Sequence, residues 1–162
     1  MNRTGLGFDI HPLVDGRPLV LGGVTVPSPR GLDGHSDADV LTHAICEALL
    51  GALALGDLGA LFPDTDPRYC GVSSLALLRS VIEVVRSNGG TLANVDATVI
   101  CQSPRLAAWL PEMAKLLAEA LGEAPGRVSV KAKSPEHLGW LGREEGIAAM
   151  AVVSIDVGEP PR

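Results

Sequence analysis

Residues 4–11 read TGLGFDIH, and this stretch predicts the strand from which the rest of the fold can be placed. Side chains at i and i+2 of a strand point to the same face, so Asp9 and His11 project side by side, with Phe8 and Ile10 on the opposite face. A carboxylate beside an imidazole can supply two metal ligands. Asp-x-His is also a common spacing, and for this pair alone a strand-end Asp that accepts a hydrogen bond from His is the commoner explanation.

Strands and helices are expected to alternate along the rest of the chain. Strands are predicted at residues 19–21 and 24–26, joined by Gly22-Gly23 as a hairpin, and at 92–102, 127–133 and 147–157. A first helix is predicted from an N-cap at Ser36, with Asp39 as its capping-box partner, to about Leu55. A second is predicted from Ser73 or Ser74 to Asn88, and a third from Pro104 at N1 to Gly122. Residues 134–136 read as an N-cap, an N1 proline and an acid that open one short turn. The alternation predicts an α/β or α+β fold, one domain over residues 1–162, with helices on one face of a mixed sheet.

Composition limits the function. The chain has 162 residues, with 13 Lys and Arg against 19 Asp and Glu, for a net charge of −6. An acidic surface argues against a main role in binding nucleic acid or anionic membranes, but it allows a small anionic substrate if metal ions supply positive charge. Three cysteines without C-x-x-C spacing predict neither disulfides nor a cysteine zinc site. No signal-peptide layout or membrane-length apolar run is visible, so we expect a cytoplasmic protein.

The helix expected after Ser36 adds a third candidate ligand. At about 100° per residue, one of its stripes is acidic and polar and has no basic residue except histidine; it comprises Ser36, Asp39, His43 and Glu47. A solvated helix face is the usual explanation, but such a face normally mixes Lys, Arg and Glu. Asp9, His11 and His43 together would give three N/O ligands and leave a fourth tetrahedral position open, as in catalytic zinc sites. Segment 56–67, which is rich in proline, glycine and acids, is predicted to be a lid or ligand loop.

Several stretches resemble a known enzyme family. They are GFDIH at residues 7–11, GGV at 22–24, HSDADV at 35–40, LGDLG at 55–59, LFPDTDP at 61–67 and NVDAT at 94–98. In this order and spacing they look like 2-C-methyl-D-erythritol 2,4-cyclodiphosphate synthase, and the similarity runs from about Thr4 to Val157. H-S-D-x-D-V together with F-P-D-T-D-P is a specific pair.

The resemblance implies a reaction and its metals. In this family the 2-phosphate of a cytidine diphosphate methylerythritol attacks the β-phosphorus, which closes a cyclic diphosphate and expels CMP. By similarity, Asp9, His11 and His43 would hold zinc or another divalent transition metal. A second ion, Mg²⁺ or Mn²⁺, would bridge the substrate diphosphate and be anchored through Glu136. His35 and Ser36 match phosphate contacts, and His35 and Ser134 match the transition-state stabilisers, although Ser36 could equally be only a helix cap.

The resemblance also assigns substrate-binding segments and an assembly. The methylerythritol unit would be held by Asp57, Leu58, Gly59, Phe62, Pro63, Asp64, Thr65 and Asp66, although Asp64 and Asp66 could also belong to an ordinary proline-flanked turn. The nucleotide would be held by Cys101, Gln102, Ser103, Pro104, Arg105, Leu106, Ala107, Ala132, Lys133, Ser134, Pro135 and Glu136. Many members have threonines where this chain has Lys133-Ser134-Pro135. Members form homotrimers with active sites between subunits.

Trp140 and Arg143 match positions that face a threefold channel in the family, where an isoprenoid diphosphate can bind. A core or interface aromatic, and a structural ion pair, are the alternatives for these two residues. Two other functions remain open on the residues alone: a zinc hydrolase that cleaves a phosphodiester, and a non-catalytic trimer that binds isoprenoid diphosphates. There is no P-loop, and Gly5-Leu6-Gly7 lacks the third glycine of a dinucleotide-binding fingerprint.

Overall fold

The computed structural model describes residues 1–63, 65–69 and 71–158. Its strands are β1 (Asn2–Asp15), β2 (Leu19–Leu21), β3 (Val24–Val26), β4 (Arg30–Leu32), β5 (Gly90–Ile100), β6 (Val128–Lys133) and β7 (Gly146–Val157). Its α-helices are α1 (Val40–Ala52), α2 (Leu58–Leu61), α3 (Ser74–Ser87), α4 (Leu110–Leu121) and α5 (Gly139–Gly142). Short 3₁₀ turns lie at Pro67–Tyr69 and Pro125–Arg127. The predicted alternation of strands and helices is confirmed.

The main sheet is mixed, with strand order β4-β1-β7-β5-β6. β1 and β5 flank β7 and both run antiparallel to it, whereas β5 and β6 are parallel. A parallel pair needs a crossover connection, and α4 lies in the connection between β5 and β6. The predicted β2-β3 hairpin forms a separate two-stranded sheet.

The helices pack on one face of this sheet, as predicted. α1 contacts β1 and β7, and it is buried nearly all round, with Leu41, Ile45 and Leu49 fully enclosed. Gly5 and Gly7 of β1 face this helix, and a Cβ on Gly7 would lie 1.9 Å from the Ala44 carbonyl oxygen. The two glycines therefore let α1 lie against β1 at a distance that no side chain would permit.

The opposite face of the sheet is apolar and exposed in the single chain. Its large side chains are Leu6, Phe8, Ile10, Met150 and Val152, which are 40–64% exposed. Strand register sets Leu6 opposite Val152 and Phe8 opposite Met150, so these side chains form one continuous patch across β1 and β7. An exposed apolar patch of this kind is typical of an interaction surface.

The start of α1 differs from the prediction. Asp39, not Ser36, is the N-cap: its Oδ1 accepts a hydrogen bond from the Thr42 N–H at 3.0 Å. Ser36 Oγ instead accepts from the Ala38 N–H, and Ala38 has a left-handed φ of 56°, which a helix cannot include. The helix also ends at Ala52, before the predicted Leu55. Asp39 is fully buried, so the solvated-face explanation of the polar stripe is wrong.

The predicted start of α3 is confirmed, with Ser73 as its N-cap, but the start predicted at Pro104 is wrong. α4 begins at Leu110 and has Pro111 near its start, whereas Pro104 belongs to the loop after β5. Residues 134–136 do open a short turn, as predicted: Ser134 Oγ accepts from the Glu136 N–H, and the Leu138 N–H donates to the Pro135 carbonyl oxygen at 2.9 Å. The turn is not helical, since Glu136 has a left-handed φ of 54°. The next helix, α5, starts only at Gly139. Among the described residues, none of the helices is long and apolar enough to span a membrane.

Candidate metal centre and substrate cleft

Asp9 and His11 on β1 converge with His43 on α1. Asp9 Oδ2 lies 3.0 Å from His11 Nε2 and 3.0 Å from His43 Nδ1, and the two imidazole nitrogens are 3.3 Å apart. The strand period sets Asp9 and His11 on the face that carries Gly5 and Gly7, and α1 lies close to that face. The predicted convergence of these three residues is confirmed.

The chemistry of this donor set fits a divalent cation. His11 Nδ1 lies 2.7 Å from the Asp33 carbonyl oxygen, which can only accept, so this nitrogen carries the ring proton and Nε2 offers a lone pair. Two imidazole nitrogens and a carboxylate oxygen thus face one point. Ligand atoms about 2.0–2.1 Å from a tetrahedral zinc lie about 3.3 Å from one another, and the observed separations are close to this. These residues therefore fit a metal with an open fourth position.

The electrostatics of Asp9 and His11 also favour binding of a cation. Burial alone would raise the pKa of the Asp9 carboxyl, but hydrogen bonds and charge from His11 and His43 outweigh burial and lower that pKa to about 2. Burial would lower the pKa of His11, yet the hydrogen bond and charge of Asp9 outweigh it and raise that pKa. Asp9 is therefore anionic at neutral pH, and a proton and a metal ion compete for His11.

A cleft of about 270 Å³ opens beside the three ligands. His35 and Ser36, which were predicted to contact phosphate, line it together with His11 and His43. Arg17 holds the loop that carries them, because its guanidinium donates to the carbonyl oxygens of Gly34 at 2.8 Å and Ser36 at 2.9 Å. The predicted phosphate contacts thus lie next to the metal ligands.

The predicted methylerythritol segment is only partly in this cleft. Leu58, Gly59 and Phe62 line it, whereas Asp57, Pro63, Thr65 and Asp66 do not. Asp57 Oδ1 caps α2 through the Ala60 N–H at 2.8 Å, and the Asp66 carboxylate binds the Arg68 guanidinium, whose hydrogen bonds lower the pKa of Asp66. Asp64 lies outside the described residues.

A second cavity, of about 310 Å³, contains most of the predicted nucleotide-binding residues. They are Cys101, Gln102, Pro104, Arg105, Leu106, Ala107, Ala132, Lys133, Ser134 and Glu136. Ser103 and Pro135 do not contribute to its wall. The parallel pairing of β5 and β6 brings these two segments together, since Ile100 pairs with Lys133 at the ends of the strands.

Neither Trp140 nor Arg143 is among the described residues that line the two cavities. Trp140 is 40% exposed, and the Arg143 guanidinium donates to Glu145 at 2.6 Å, the ion pair weighed as its alternative role. The placement of both residues beside a threefold channel stays a prediction.

Sequence reasoning missed several residues at these sites. Tyr69, Val72 and Leu77 line the metal-side cleft, His137 lines the second cavity, and Ser74 contacts His43. Tyr69 packs edge-on against Phe62 at 5.2 Å between ring centroids. None of these residues has a metal-binding or catalytic spacing. The packing of α3 and the preceding turn brings Tyr69, Val72, Ser74 and Leu77 to the metal-side cleft, whereas His137 lies in the loop after β6, where its N–H donates to Gln102 Oε1 at 2.9 Å.

Comparisons with known proteins agree with this geometry. Residues 2–156 match the model of the YgbB family. The 2-C-methyl-D-erythritol 2,4-cyclodiphosphate synthase of Syntrophobacter fumaroxidans is 58% identical over 151 residues, which are 93% of this chain and 95% of that protein. The enzyme of the same name from Laribacter hongkongensis is 59% identical over 150 residues, 93% of each chain.

Solved structures share the fold. A 2C-methyl-D-erythritol-2,4-cyclodiphosphate synthase in a CDP-bound form matches with a TM-score of 0.87 and 37% identity, over 95% of this chain and all of that one. The bifunctional IspDF of Campylobacter jejuni matches with a TM-score of 0.94 and 40% identity over 98% of this chain, which spans 43% of that longer protein. With a family match over nearly its whole length and relatives at this level of identity, the chain belongs to the YgbB family, that of the 2-C-methyl-D-erythritol 2,4-cyclodiphosphate synthases.

Proposed function

We propose that the chain cyclises 4-diphosphocytidyl-2-C-methyl-D-erythritol 2-phosphate to 2-C-methyl-D-erythritol 2,4-cyclodiphosphate with release of CMP, a step of non-mevalonate isoprenoid synthesis. The observation that carries this proposal is the convergence of Asp9, His11 and His43 on one point at the wall of a cleft. The same cleft contains His35 and Ser36, two groups suited to phosphate. The family relationship supplies the substrate, and the chemistry of the cleft is compatible with it.

The reaction needs no protein nucleophile. An oxygen of the 2-phosphate forms a bond to the β-phosphorus, and the bond from that phosphorus to the oxygen bridging to the α-phosphate breaks, so that CMP leaves with the electron pair. Attacking and leaving groups are both phosphates, and catalysis therefore depends on positioning and on neutralising charge. In this scheme a bound zinc ion would supply Lewis-acid stabilisation of the β-phosphate.

The chain's own residues divide this work. Asp9, His11 and His43 hold the metal, and His35 and Ser36 bind phosphate oxygens beside it. Ser36 is suited to this because its hydroxyl lies at the cleft wall and is half-buried. Leu58, Gly59 and Phe62 enclose the carbon skeleton on the other side of the cleft and exclude water from the reacting phosphates.

The second cavity is proposed to take the cytidine. Relatives of this fold have been solved in CDP-bound forms, which supports a nucleotide of this type for the chain. Main-chain groups of residues 101–107 and 132–134 would bind the base, and Ser134 would contact the diphosphate. Glu136 is exposed at this cavity and offers one carboxylate for Mg²⁺ or Mn²⁺, and such ions commonly take one or two carboxylates plus substrate phosphates. Lys133 adds a positive charge at the same wall.

We propose that the enzyme works as a homotrimer. Within one chain the metal-side cleft and the second cavity have no lining residue in common among those described, although the substrate must touch both. The exposed apolar patch on β1 and β7 gives a surface through which copies can associate. Association that sets the cleft of one copy beside the second cavity of the next would complete the site.

Phosphorus NMR of the protein with the proposed substrate and Mg²⁺, with and without a zinc chelator, tests the reaction. Formation of the cyclic diphosphate with stoichiometric CMP, lost on chelation, supports the proposal. Inorganic phosphate or an open-chain product would indicate the hydrolase instead. Unchanged substrate would refute the synthase function, and the remaining alternative would be a non-catalytic protein that binds isoprenoid diphosphates.

A further inference from the structure

The imidazole of His43 has a second nitrogen, which points away from Asp9 and into the interior. His43 Nε2 lies 2.8 Å from Ser74 Oγ and 3.2 Å from Ser36 Oγ. Ser74 is the first residue of α3 and is fully buried, and the His43 residue is only 8% exposed. A buried serine thus contacts the ring of a proposed metal ligand from the side opposite the metal.

The bonding of Ser74 decides which His43 nitrogen carries the proton. The Ser74 hydroxyl donates to Asp37 Oδ1, and the Ser74 N–H donates to Asp37 Oδ2 at 2.9 Å. A carboxylate only accepts, so the single hydroxyl proton of Ser74 is used on Asp37. Ser74 Oγ can then only accept from His43, which requires the proton on Nε2. Nδ1 is left with a lone pair directed toward Asp9 and His11.

We propose that Ser74, oriented by Asp37, is a positioning residue that sets the tautomer and ring orientation of His43 for metal binding. A metal-bound histidine commonly donates its other ring N–H to a fixed acceptor, which holds the ring and raises its basicity. The relay from Asp37 through Ser74 to His43 provides such an acceptor. This inference rests on the metal centre of the proposed function, but not on the reaction carried out there.

Ser36 is less suited to the same role. It lines the cleft and is half-buried, and its oxygen already accepts the Ala38 N–H at 3.1 Å. Ser74 is closer to His43, has no solvent exposure and is tied to Asp37 by two hydrogen bonds. Asp37 is itself anchored, since its N–H donates to the Val72 carbonyl oxygen at 3.2 Å. This division leaves the hydroxyl proton of Ser36 available to a substrate phosphate while Ser74 holds His43.

The other histidine has its own orienting acceptor, and this one belongs to the main chain. His11 Nδ1 donates to the Asp33 carbonyl oxygen, which no side-chain substitution removes. Ser74 is therefore the place where the tautomer of a ligand can be tested by mutation.

The test measures Zn²⁺ affinity of the full chain by competition with a chromophoric chelator, alongside the Tm of the chelator-treated protein. We expect Ser74→Ala to weaken zinc binding about 10- to 100-fold. Ser73→Ala is the matched control: this neighbouring serine is exposed and makes no side-chain cap bond, so its affinity should stay within about twofold of wild type. A merely structural role for Ser74 would lower the Tm and leave the zinc affinity of the folded protein unchanged.

Asp37→Ala provides a second, independent variant. Without the carboxylate the Ser74 hydroxyl can rotate and donate to His43, which favours the wrong tautomer. We expect weaker zinc binding here too, with little further loss of zinc affinity when Asp37→Ala is combined with Ser74→Ala, because both variants affect the metal through the same hydrogen bond between Ser74 and His43. Nitrogen-15 NMR of the His43 ring should find the proton on Nε2 in wild type and a mixture of tautomers in Asp37→Ala.

The outcomes separate this inference from the proposed function. If wild-type protein binds neither Zn²⁺ nor Co²⁺, the metal centre is refuted, and the proposed function and this inference fail together. If wild type binds zinc and folded Ser74→Ala binds it equally well, only the positioning role of Ser74 is overturned. Zinc loss in Ser74→Ala without cyclase activity in wild type would support the inference and refute the proposed reaction.

Discussion

Gly7 on β1 lies directly against Ala44 on α1, so close that a Cβ on Gly7 would come 1.9 Å from the Ala44 carbonyl oxygen and 2.6 Å from the Ala48 nitrogen. His43 is the neighbour of Ala44, and Asp9 shares the strand face of Gly7. The close approach of helix and strand that Gly7 permits is therefore what lets His43 reach Asp9. The glycines of residues 5–7 serve the metal centre through packing.

Gly7→Ala should accordingly damage both the fold and the metal site. The obstructing atoms are helix backbone, which cannot yield as a flexible side chain would, and we expect a loss of at least about 2 kcal/mol in the free energy of unfolding. Urea unfolding measures it. Gly126→Ala is the control, because a Cβ there meets nothing within 4 Å and its stability should change by less than about 0.5 kcal/mol. Equal stability of the two variants would contradict the packing argument.

His43→Ala should leave a folded protein that has lost its metal. The imidazole ring contributes little apolar area to the core around α1. The large side chains of that core are fully buried and stay in place in the variant, so the fold should persist. Because changes to an outer contact of a ligand already cost 10- to 100-fold, we expect loss of the ligand itself to reduce cyclase activity by more than about 100-fold. Circular dichroism and metal analysis accompany the assay. Unfolding of this variant would instead favour a purely structural zinc.

The pH dependence of stability should change when metal is removed. With a chelator present, the raised pKa of His11 stabilises the fold fully below its ordinary value of 6.5, and this contribution is lost as pH rises through the raised value. The lowered pKa of Asp9 makes a separate contribution to the stability of the fold. That contribution is fully present above pH 3.8 and is lost as the pH falls toward 2. The Tm of chelated protein should therefore fall above neutral pH.

Added zinc should reverse the fall in Tm above neutral pH. The ion binds the His11 nitrogen that the proton otherwise occupies, so zinc binding is strongest, and stabilises most, at the pH values where that proton has been lost. Thermal scans between pH 5 and 9, with chelator and with zinc, measure both curves. In His11→Asn the decline above neutral pH should flatten. A Tm of the chelated wild type that rises steadily from pH 6 to 8 would be inconsistent with this scheme.

Asp39→Ala should be more destabilising than loss of an ordinary helix cap. The Asp39 carboxylate accepts from the Thr42 N–H and hydroxyl and from the N–H groups of Gly22 and Gly23, and it is fully buried. Its removal leaves several buried donors unpaired, so we expect the free energy of unfolding to fall by about 3 kcal/mol or more. Asp57→Ala removes an exposed cap from α2 and should cost about 1 kcal/mol. Chemical denaturation measures the free energy of unfolding of both variants. Equal losses would contradict the larger role that we assign to the buried Asp39.

Val152→Glu should prevent self-association without disturbing the metal ligands. Val152 is 41% exposed on the apolar patch, opposite Leu6, and a charge buried in a subunit interface is strongly unfavourable. Sedimentation velocity should find a trimer for wild type and a smaller species for this variant. Ser80→Glu, on an exposed turn of α3, should remain trimeric. A trimeric Val152→Glu would exclude this face as the interface.

The metal ligands were predictable because they depend on local periodicity. Asp9 and His11 are two residues apart on a strand, and any regular strand sets them on one face. His43 could be added from its helix stripe, although the prediction that Ser36 caps this helix was wrong. The start predicted at Pro104 was wrong as well, because that proline lies in the loop after β5 and the helix begins only at Leu110.

Other features were set by contacts between segments distant in the sequence. Asp37 and Ser74 are separated by 37 residues, and their meeting at His43 depends on how α3 packs against α1. The second cavity likewise forms only because β5 and β6 pair in parallel. The local sequence of this protein determined most of its strands, its three long helices and its candidate ligands, since these follow from neighbours along the chain. It did not predict β4, which forms only by pairing with the end of β1. Tertiary packing alone decided which nitrogen of His43 carries the proton and which sheet face stays exposed, because each depends on the distance between elements.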